Sequence, residues 1–564
     1  MSDYYNAMDR EHGIGLPANK IGFTAIPNKD QLDELKAKIR LGVSKLELGF
    51  MGAGKSTGEA PSPEMYGKEE RNEIRELAKV NKVELSTHAS FRIAPLSGFS
   101  KEGFEENVRK DTVDEIKRAI DFAADVAEGG PVVVHLGEFQ RPVSVAEKEK
   151  FSGYEYETTL KDAEGKTEIK KRSEEAEATV MLADEKTGRV FGIVKKDQPL
   201  FMPEFEKDPK TNKPVLNESG NPAVKGKADE AHTIEKLDWN GFKKKYNFDS
   251  DDEAALFVYK VRIGEKEAEL EGAIAREKYY KEHYYNNLPE EEKKKMQAMA
   301  QRSIDSYEQQ KERVKEEKAN IQPISIVGTQ KTAQSLAELG MYAIEQEKKK
   351  NLDKPLYVAP ENIFPETYGG HPDEMKELVI AGRKRMAEML QKKGYSGETA
   401  EKLASSHIKA TFDIGHAFTW KRFFNGDDKK FSDWLIKKVE ELRDEGVLGH
   451  IHITDNFGYH DEHLPPGQGT APIKEVIDRL KKANVDFVVE GGRENEKVWT
   501  EALKEFGSPI YGISRPNKSD PWDVIEHSYF GRTAPPYFAV GEYSQEMGER
   551  VAKDFSSWAG IPFE

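Results

Sequence analysis

The feature that most constrains this chain is a strand–helix alternation that runs through four strands, stops, and resumes for four more. Short aliphatic and β-branched runs at 21–27, 45–51, 83–89 and 131–137 read as strands. Charged amphipathic stretches at 31–39, 62–80 and 105–127 lie between and before them and read as helices. The alternation returns with strands at 355–362, 410–417, 449–456 and 485–491. Helices are expected at 332–347, 373–392, 431–445, 473–483 and 496–506. Eight strands with helices between them predict an α/β fold, a (β/α)8 TIM barrel. Polar residues stand at the ends of nearly every strand. This favours a barrel over an open doubly wound sheet, because a barrel gathers strand C-termini on one rim.

The interruption is the chain's main anomaly. Strand four ends near Leu136 and the next barrel helix is expected only near Thr332. A gap of roughly 190 residues is too long for a barrel loop and predicts an inserted module. The expected organisation is a first barrel part over 1–143, an α+β insertion after strand 4 over 144–325, a second barrel part over 326–510, and a C-terminal extension over 511–564 packed on the barrel. Within the insert, 178–182 and 189–195 flank Asp-Glu-Lys-Thr-Gly, a hairpin signal. The stretch 208–227, rich in Pro, Asn, Gly and Lys, reads as a flexible loop. Residues 251–320 read as a charged helical hairpin, restarting with Pro289 near N1 and Glu290, Glu291 and Glu292 in the first turn. A solvated surface is the simplest reading of that hairpin; an unidentified protein partner for the insert is the lesser one.

Charge and composition narrow the function. The chain carries 86 Lys+Arg against 102 Asp+Glu, a net charge of −16, which argues against a protein that coats nucleic acid non-specifically. It lacks an apolar run of about 18 residues, so no membrane span is expected. The N-terminal residues lack the basic-then-apolar pattern of a secretory signal, so a cytoplasmic location is expected. Cysteine is absent. Any metal must therefore be held by His, Asp and Glu.

One motif is a decoy. Gly49-Phe-Met-Gly-Ala-Gly-Lys-Ser has the spacing of a phosphate-binding P-loop. Such a loop works by aiming a helix N-terminus at phosphate, and Gly58, Pro61 and Pro63 block a helix there. The segment reads instead as a Gly-rich rim loop, from which Lys55 reaches an anionic substrate.

The chemistry lies at the strand ends. Strand three ends at His88, strand four at His135, strand five at Glu361, strand six at Asp413 with His416 following, strand seven at His452, and strand eight at Glu490. The loop after strand seven carries Asp461 and His463. Carboxylates facing one bowl from different strands repel unless a cation offsets them. Imidazoles among them, without any thiolate, favour Zn²⁺, with Mn²⁺ as the alternative, over Ca²⁺. Nine candidate ligands exceed one ion's needs, so two or three ions are expected, with Glu361 placed to bridge two of them.

These residues resemble the xylose isomerase-like superfamily, which includes endonuclease IV (AP endonuclease family 2) and many sugar isomerases and epimerases. The resemblance covers roughly residues 20–137 and 330–510. The Glu, Asp, His and Glu shared at successive strand ends match Glu361, Asp413, His452 and Glu490. The His-Ala motif matches His88, the second early His matches His135, Asp-x-x-His-Ala-Phe matches Asp413 and His416, and Asp-x-His-x-x-x-Gly-x-Gly matches Asp461, His463, Gly467 and Gly469. The resemblance implies one ion on His88, His135 and Glu361, a second on Glu361, Asp413, His452 and Glu490, and a third on His416, Asp461 and His463.

Two activities follow as expectations. The first is hydrolysis of a phosphodiester such as DNA, with Glu361 bridging ions, Glu490 orienting the attacking water, and Lys55, Phe91 and Arg92 touching substrate. The alternative is isomerisation or epimerisation of a small sugar, for which four ligands suffice and Glu361 and Glu490 move the proton. A metal-stabilised, non-enzymatic scaffold is the third reading.

Overall fold

The computed structural model describes residues 16, 20–53, 60–147, 149–161, 167–217, 219–226 and 233–491. Lys55, the helix expected at 496–506 and the extension at 511–564 lie outside the described residues. Eight parallel strands close into a barrel: β1 Ile21–Thr24, β2 Lys45–Gly49, β3 Glu84–His88, β4 Gly130–Leu136, β5 Leu356–Asn362, β6 Ala410–Asp413, β7 Leu448–Ile453 and β8 Asp486–Val489. Each strand pairs with its neighbours in chain order, and β8 pairs with β1. This is the (β/α)8 TIM barrel that the alternation predicts.

Local chemistry explains the helix boundaries. In Gln31–Arg40, Asp30 caps the first turn by accepting from the N–H groups of Leu32 and Asp33. Asp33 and Glu34 open that helix and Lys38 and Arg40 close it, complementing its dipole. Helix Pro372–Lys392 begins on a capping box between His371 and Glu374. The helix expected from Thr332 starts earlier and spans Ile324–Lys350. Strand six is shorter than its apolar sequence suggests. The Asp413 carboxylate accepts from the His416 N–H and caps a helix over Ile414–Phe418, so extended backbone ends at Asp413 rather than at Ala417.

Side chains alternate between the two faces of each strand. Leu46, Leu48, Val132, Val134, Ile451 and Ile453 are fully buried, each contributing roughly 2 kcal/mol of apolar burial. The opposite faces fill the barrel, and on several strands they are polar. Lys45 on β2 reaches Asp486 on β8 at 2.6 Å and Glu84 at 3.0 Å. Between β2 and β8 stands β1, where Gly22 offers no side chain; a Cβ there would lie 2.8 Å from Val488 and 3.0 Å from Lys45. Glu47, one layer higher, is bonded to His452 on β7. β2 and β7 are not neighbours, so that bond crosses the barrel interior.

The chain forms two compact units. One holds the described residues up to 96, 111–140 and 332 onward, and contains the barrel; the other holds 97–110 and 141–331. The second unit has a three-stranded antiparallel sheet of Val190–Lys195, Thr179–Asp184 and Ile321–Pro323. The first two of those strands are the hairpin expected at 178–195. Two ribbons, Leu200–Pro203 with Ile234–Leu237 and Glu155–Lys161 with Thr167–Ser173, add to it. Helices Asp251–His283 and Glu290–Asn320 form the charged pair, with Pro289 at the N-cap, one position before N1. Phe205, Trp239, Phe242, Tyr246 and Phe257 build its core. The described part of 208–227 is more ordered than a flexible loop. Bridges Lys207↔Pro214, Leu216↔Pro222 and Phe205↔Val224 fix it, and Asp208 accepts from the N–H groups of Lys210 and Thr211 to set the turn.

Candidate metal centre

Strand register places the first pairs. Glu361 lies beside His135 across β5 and β4, and Asp413 beside His452 across β6 and β7. The Glu361 carboxylate is central. Its Oε2 is 3.3 Å from His88 Nε2 and 3.6 Å from His135 Nε2, while its Oε1 is 2.8 Å from His452 Nδ1. Glu490 Oε2 lies 3.2 Å from the same Nδ1. The candidate ligands form three groups of donor atoms, each within 4.8 Å: His88, His135 and Glu361; Glu361, Asp413, His452 and Glu490; and His416, Asp461 and His463; Glu47 and His450 make a further such group with His452. All nine candidate ligands are brought together, and Glu361 belongs to two groups.

Second partners set the imidazole tautomers. His88 Nδ1 donates to the Ala89 carbonyl at 2.8 Å, leaving Nε2 toward Glu361. His416 Nδ1 donates to the Asn362 carbonyl at 3.0 Å, leaving Nε2 toward Asp461. His452 has carboxylates on both sides, Glu47 Oε1 2.9 Å from Nε2, and Glu361 Oε1 and Glu490 Oε2 2.8 Å and 3.2 Å from Nδ1. His88 and His416 thus anchor one nitrogen on a backbone carbonyl and present the other to a carboxylate, as metal-ligating histidines do.

The carboxylates are prepared in the same way. Asp413 Oδ1 accepts from the His416 N–H at 2.6 Å and from Thr454 Oγ1 at 2.7 Å, whereas Oδ2 is buried without a hydrogen-bond partner among the described residues. Asp461 Oδ2 lies 3.2 Å from His416 Nε2 and 2.8 Å from His463 Nε2, and its Oδ1 is likewise buried and unpartnered. A buried carboxylate oxygen without a donor is costly unless a cation takes that place. The residues therefore fit divalent ions held by nitrogen and oxygen.

Electrostatics agrees. Burial pushes the Asp413 carboxyl up to about 6; His416 opposes this, and Glu361 and Glu490 add to it. Burial would also raise Glu361, yet the imidazoles of His452, His88 and His135 hold it well below the usual carboxylate range. Glu490 is held at about 2 against burial, first by His452. Burial lowers His135 to about 4, so that ring is neutral and free to ligate.

The loop that carries Asp461 and His463 hangs on Asp455. Its carboxylate accepts from the N–H groups of Gly467, Gly469 and Ala471 at 2.9–3.0 Å, and its backbone exchanges two bonds with Leu464. His463 itself has φ 48°, in the left-handed region. That conformation is uncommon for a residue with a Cβ and concentrates at functional sites.

Of the residues expected to touch substrate, Phe91 stacks on His88 with centroids 4.2 Å apart and meets His135 edge-on at 5.0 Å. Arg92 is exposed beside it. Sequence reasoning misses Glu47, His450, Asn362 and Asp455. Asn362 bonds both backbone groups of Asp413 with its amide and holds β5 to β6. Glu47 carried a signal, a carboxylate between leucines in a strand expected to be buried.

Residues 386–507 match the family described as Xylose isomerase-like TIM barrel. An uncharacterized protein of Methanocaldococcus jannaschii is 37% identical over 93 residues, covering 16% of this chain and 28% of that protein. A second from the same organism is 34% identical over 84 residues, covering 15% and 27%. The chain thus matches little more than a quarter of these relatives' length. Among solved structures, a D-tagatose 3-epimerase-like protein is 16% identical, covering 86% of this chain and 94% of that one, with a TM-score of 0.38. D-Psicose 3-epimerase from Clostridium cellulolyticum H10 is 10% identical, covering 87% and 96%, with a TM-score of 0.33. No helix among the described residues is long and apolar enough to cross a membrane.

Proposed function

We propose that this chain, whose barrel matches the xylose isomerase-like family over residues 386–507, is a metal-dependent phosphodiester hydrolase of the endonuclease IV type, holding two or three Zn²⁺ ions. The observation that carries this reading is the third group, His416, Asp461 and His463, beside a four-residue set that is complete without it. Proton transfer next to a sugar carbonyl needs one ion and leaves that third group without a task. Bound divalent ions supply the charge that acidifies water and offsets the negative charge growing on a phosphodiester.

The residues divide the remaining work. Glu361 joins two groups through its two oxygens. Glu490, held ionised against burial first by His452, orients the attacking water. Phe91 covers His88 at the rim, and Arg92 and Lys55 contact the substrate backbone. Purified protein would be tested for metal content and for cleavage of abasic-site duplex DNA, alongside a panel of ketoses and aldoses. Two or three zinc ions per chain with strand cleavage support the reading. One ion with sugar interconversion would replace it with the isomerase or epimerase reading.

A further inference from the structure

Glu47 is fully buried inside the barrel, on a strand that contributes none of the nine candidate ligands. Its Oε1 accepts from His452 Nε2 at 2.9 Å and its Oε2 from Ser86 Oγ at 3.1 Å, with His450 Nε2 3.6 Å away. The two other rings anchored above, His88 and His416, donate to backbone carbonyls. His452 alone among these three donates to a carboxylate. It is also the only imidazole in the four-residue group with Glu361, Asp413 and Glu490.

We propose that Glu47 is a positioning residue for the metal centre: by taking the Nε2–H of His452, it fixes the tautomer in which Nδ1 faces the ion held with Glu361, Asp413 and Glu490. The inference rests on the metal-binding part of the reading above and holds for hydrolase and isomerase alike. Two features follow from the geometry. With Nε2 committed to Glu47, Nδ1 faces two carboxylates, at 2.8 Å and 3.2 Å, so the nitrogen lone pair requires a proton or a cation there. A carboxylate behind the ring also makes Nδ1 a stronger donor than a carbonyl would. Ser86 holds the second oxygen at 3.1 Å and so helps to fix the orientation of Glu47.

The test is Zn²⁺ affinity, by competition with a chromophoric chelator, on the full chain carrying Glu47→Leu or Glu47→Gln. Leucine keeps the volume and removes the acceptor; glutamine keeps an acceptor oxygen at the same reach. The expected result is a 10- to 100-fold loss of affinity at one site in Glu47→Leu and a smaller loss in Glu47→Gln. Co²⁺-loaded protein should show a changed visible spectrum in Glu47→Leu, partly restored in Glu47→Gln. A purely structural role would lower the melting temperature and leave affinity and spectrum unchanged, and that result overturns the proposal. If Glu47→Leu does not fold, unchanged affinity and spectrum in Glu47→Gln overturn it equally. Wild-type protein that binds no Zn²⁺ or Co²⁺ removes the metal reading itself, whereas wild-type binding with unaffected variants removes only the role of Glu47.

Discussion

His416 Nε2 stands 3.2 Å from Asp461 Oδ2, although 45 residues separate them in the chain. His463 Nε2 approaches the same oxygen at 2.8 Å. Two imidazoles and one carboxylate gathered this closely form a cation site or share protons. If an ion sits there and faces the scissile phosphate, His463→Ala lowers zinc content by about one per chain. It also lowers turnover on abasic DNA by roughly a hundredfold or more. Elemental analysis with steady-state kinetics decides this; unchanged zinc content in the variant would falsify the third-ion assignment.

Glu361 serves two donor groups at once, so its loss should weaken both. Glu361→Gln keeps the size and removes the charge that offsets two cations. Zinc content should fall by more than one ion and activity should vanish, while the circular dichroism spectrum stays that of the wild type. Asp413→Asn touches one group and should cost fewer ions. An Asp413 variant that loses as much zinc as the Glu361 variant would contradict the shared-carboxylate geometry.

In the second unit, Asp251 supplies a pH-dependent contribution to stability. Burial alone would raise its carboxyl, but Lys196 at 2.5 Å, Lys243 and the Trp239 indole at 2.8 Å bring it from 3.8 down to about 2. A depressed carboxyl stabilises the fold above its unfolded value, so the contribution is complete above about pH 4 and is lost as pH falls through about 2. The shift corresponds to about 2 kcal/mol. Asp251→Asn strands two partly buried lysines and should cost about 3 kcal/mol near neutrality. In urea titrations the gap between wild type and variant should narrow steadily from pH 4 to pH 2; a gap independent of pH would refute this account.

Gly188 closes the hairpin turn of the second unit with φ 76°, and a Cβ there would lie 1.9 Å from the Phe104 carbonyl oxygen. That oxygen cannot retreat freely, because Phe104 also donates its N–H to the Gly188 carbonyl at 2.8 Å. Gly188→Ala should therefore destabilise the second unit by about 2 kcal/mol or more, from backbone strain and the clash together. Calorimetry should show a lowered transition for that unit, with zinc content of the protein unchanged.

The barrel is legible in the sequence because its strands are short apolar runs punctuated by amphipathic helices with caps at their ends. Convergence of the nine side chains is legible for a related reason: each follows a strand end or sits in one loop, and closure directs all of these to one rim. Strand six misleads because Asp-Ile-Gly-His-Ala-Phe reads as extended, while Asp413 and Thr454, which donates to its Oδ1, turn the chain into a helix. Glu47 is hidden for a topological reason. A carboxylate between two leucines of a buried strand is a signal, but its partner on β7 is legible only once closure brings β7 across the interior from β2. The ribbon of Glu155–Lys161 and Thr167–Ser173 escapes notice because charged residues run along both strands.

The anchoring of the loop at Asp455 has a consequence for how such a site changes over evolutionary time. The four donors Glu361, Asp413, His452 and Glu490 stand in or directly after barrel strands, so deleting the segment that carries any of them removes part of the barrel. Asp461 and His463 belong to a loop segment, tied back chiefly through Asp455, with Asn456 and Arg422 adding single bonds to Gly458 and to the Tyr459 carbonyl. Shortening or rewriting that segment would delete two donors of the third group and leave every barrel strand in place. Mutation therefore has an inexpensive route between a three-group centre and a single four-ligand one, and sequence variation in that one segment is where a change of chemistry among related chains would first be written.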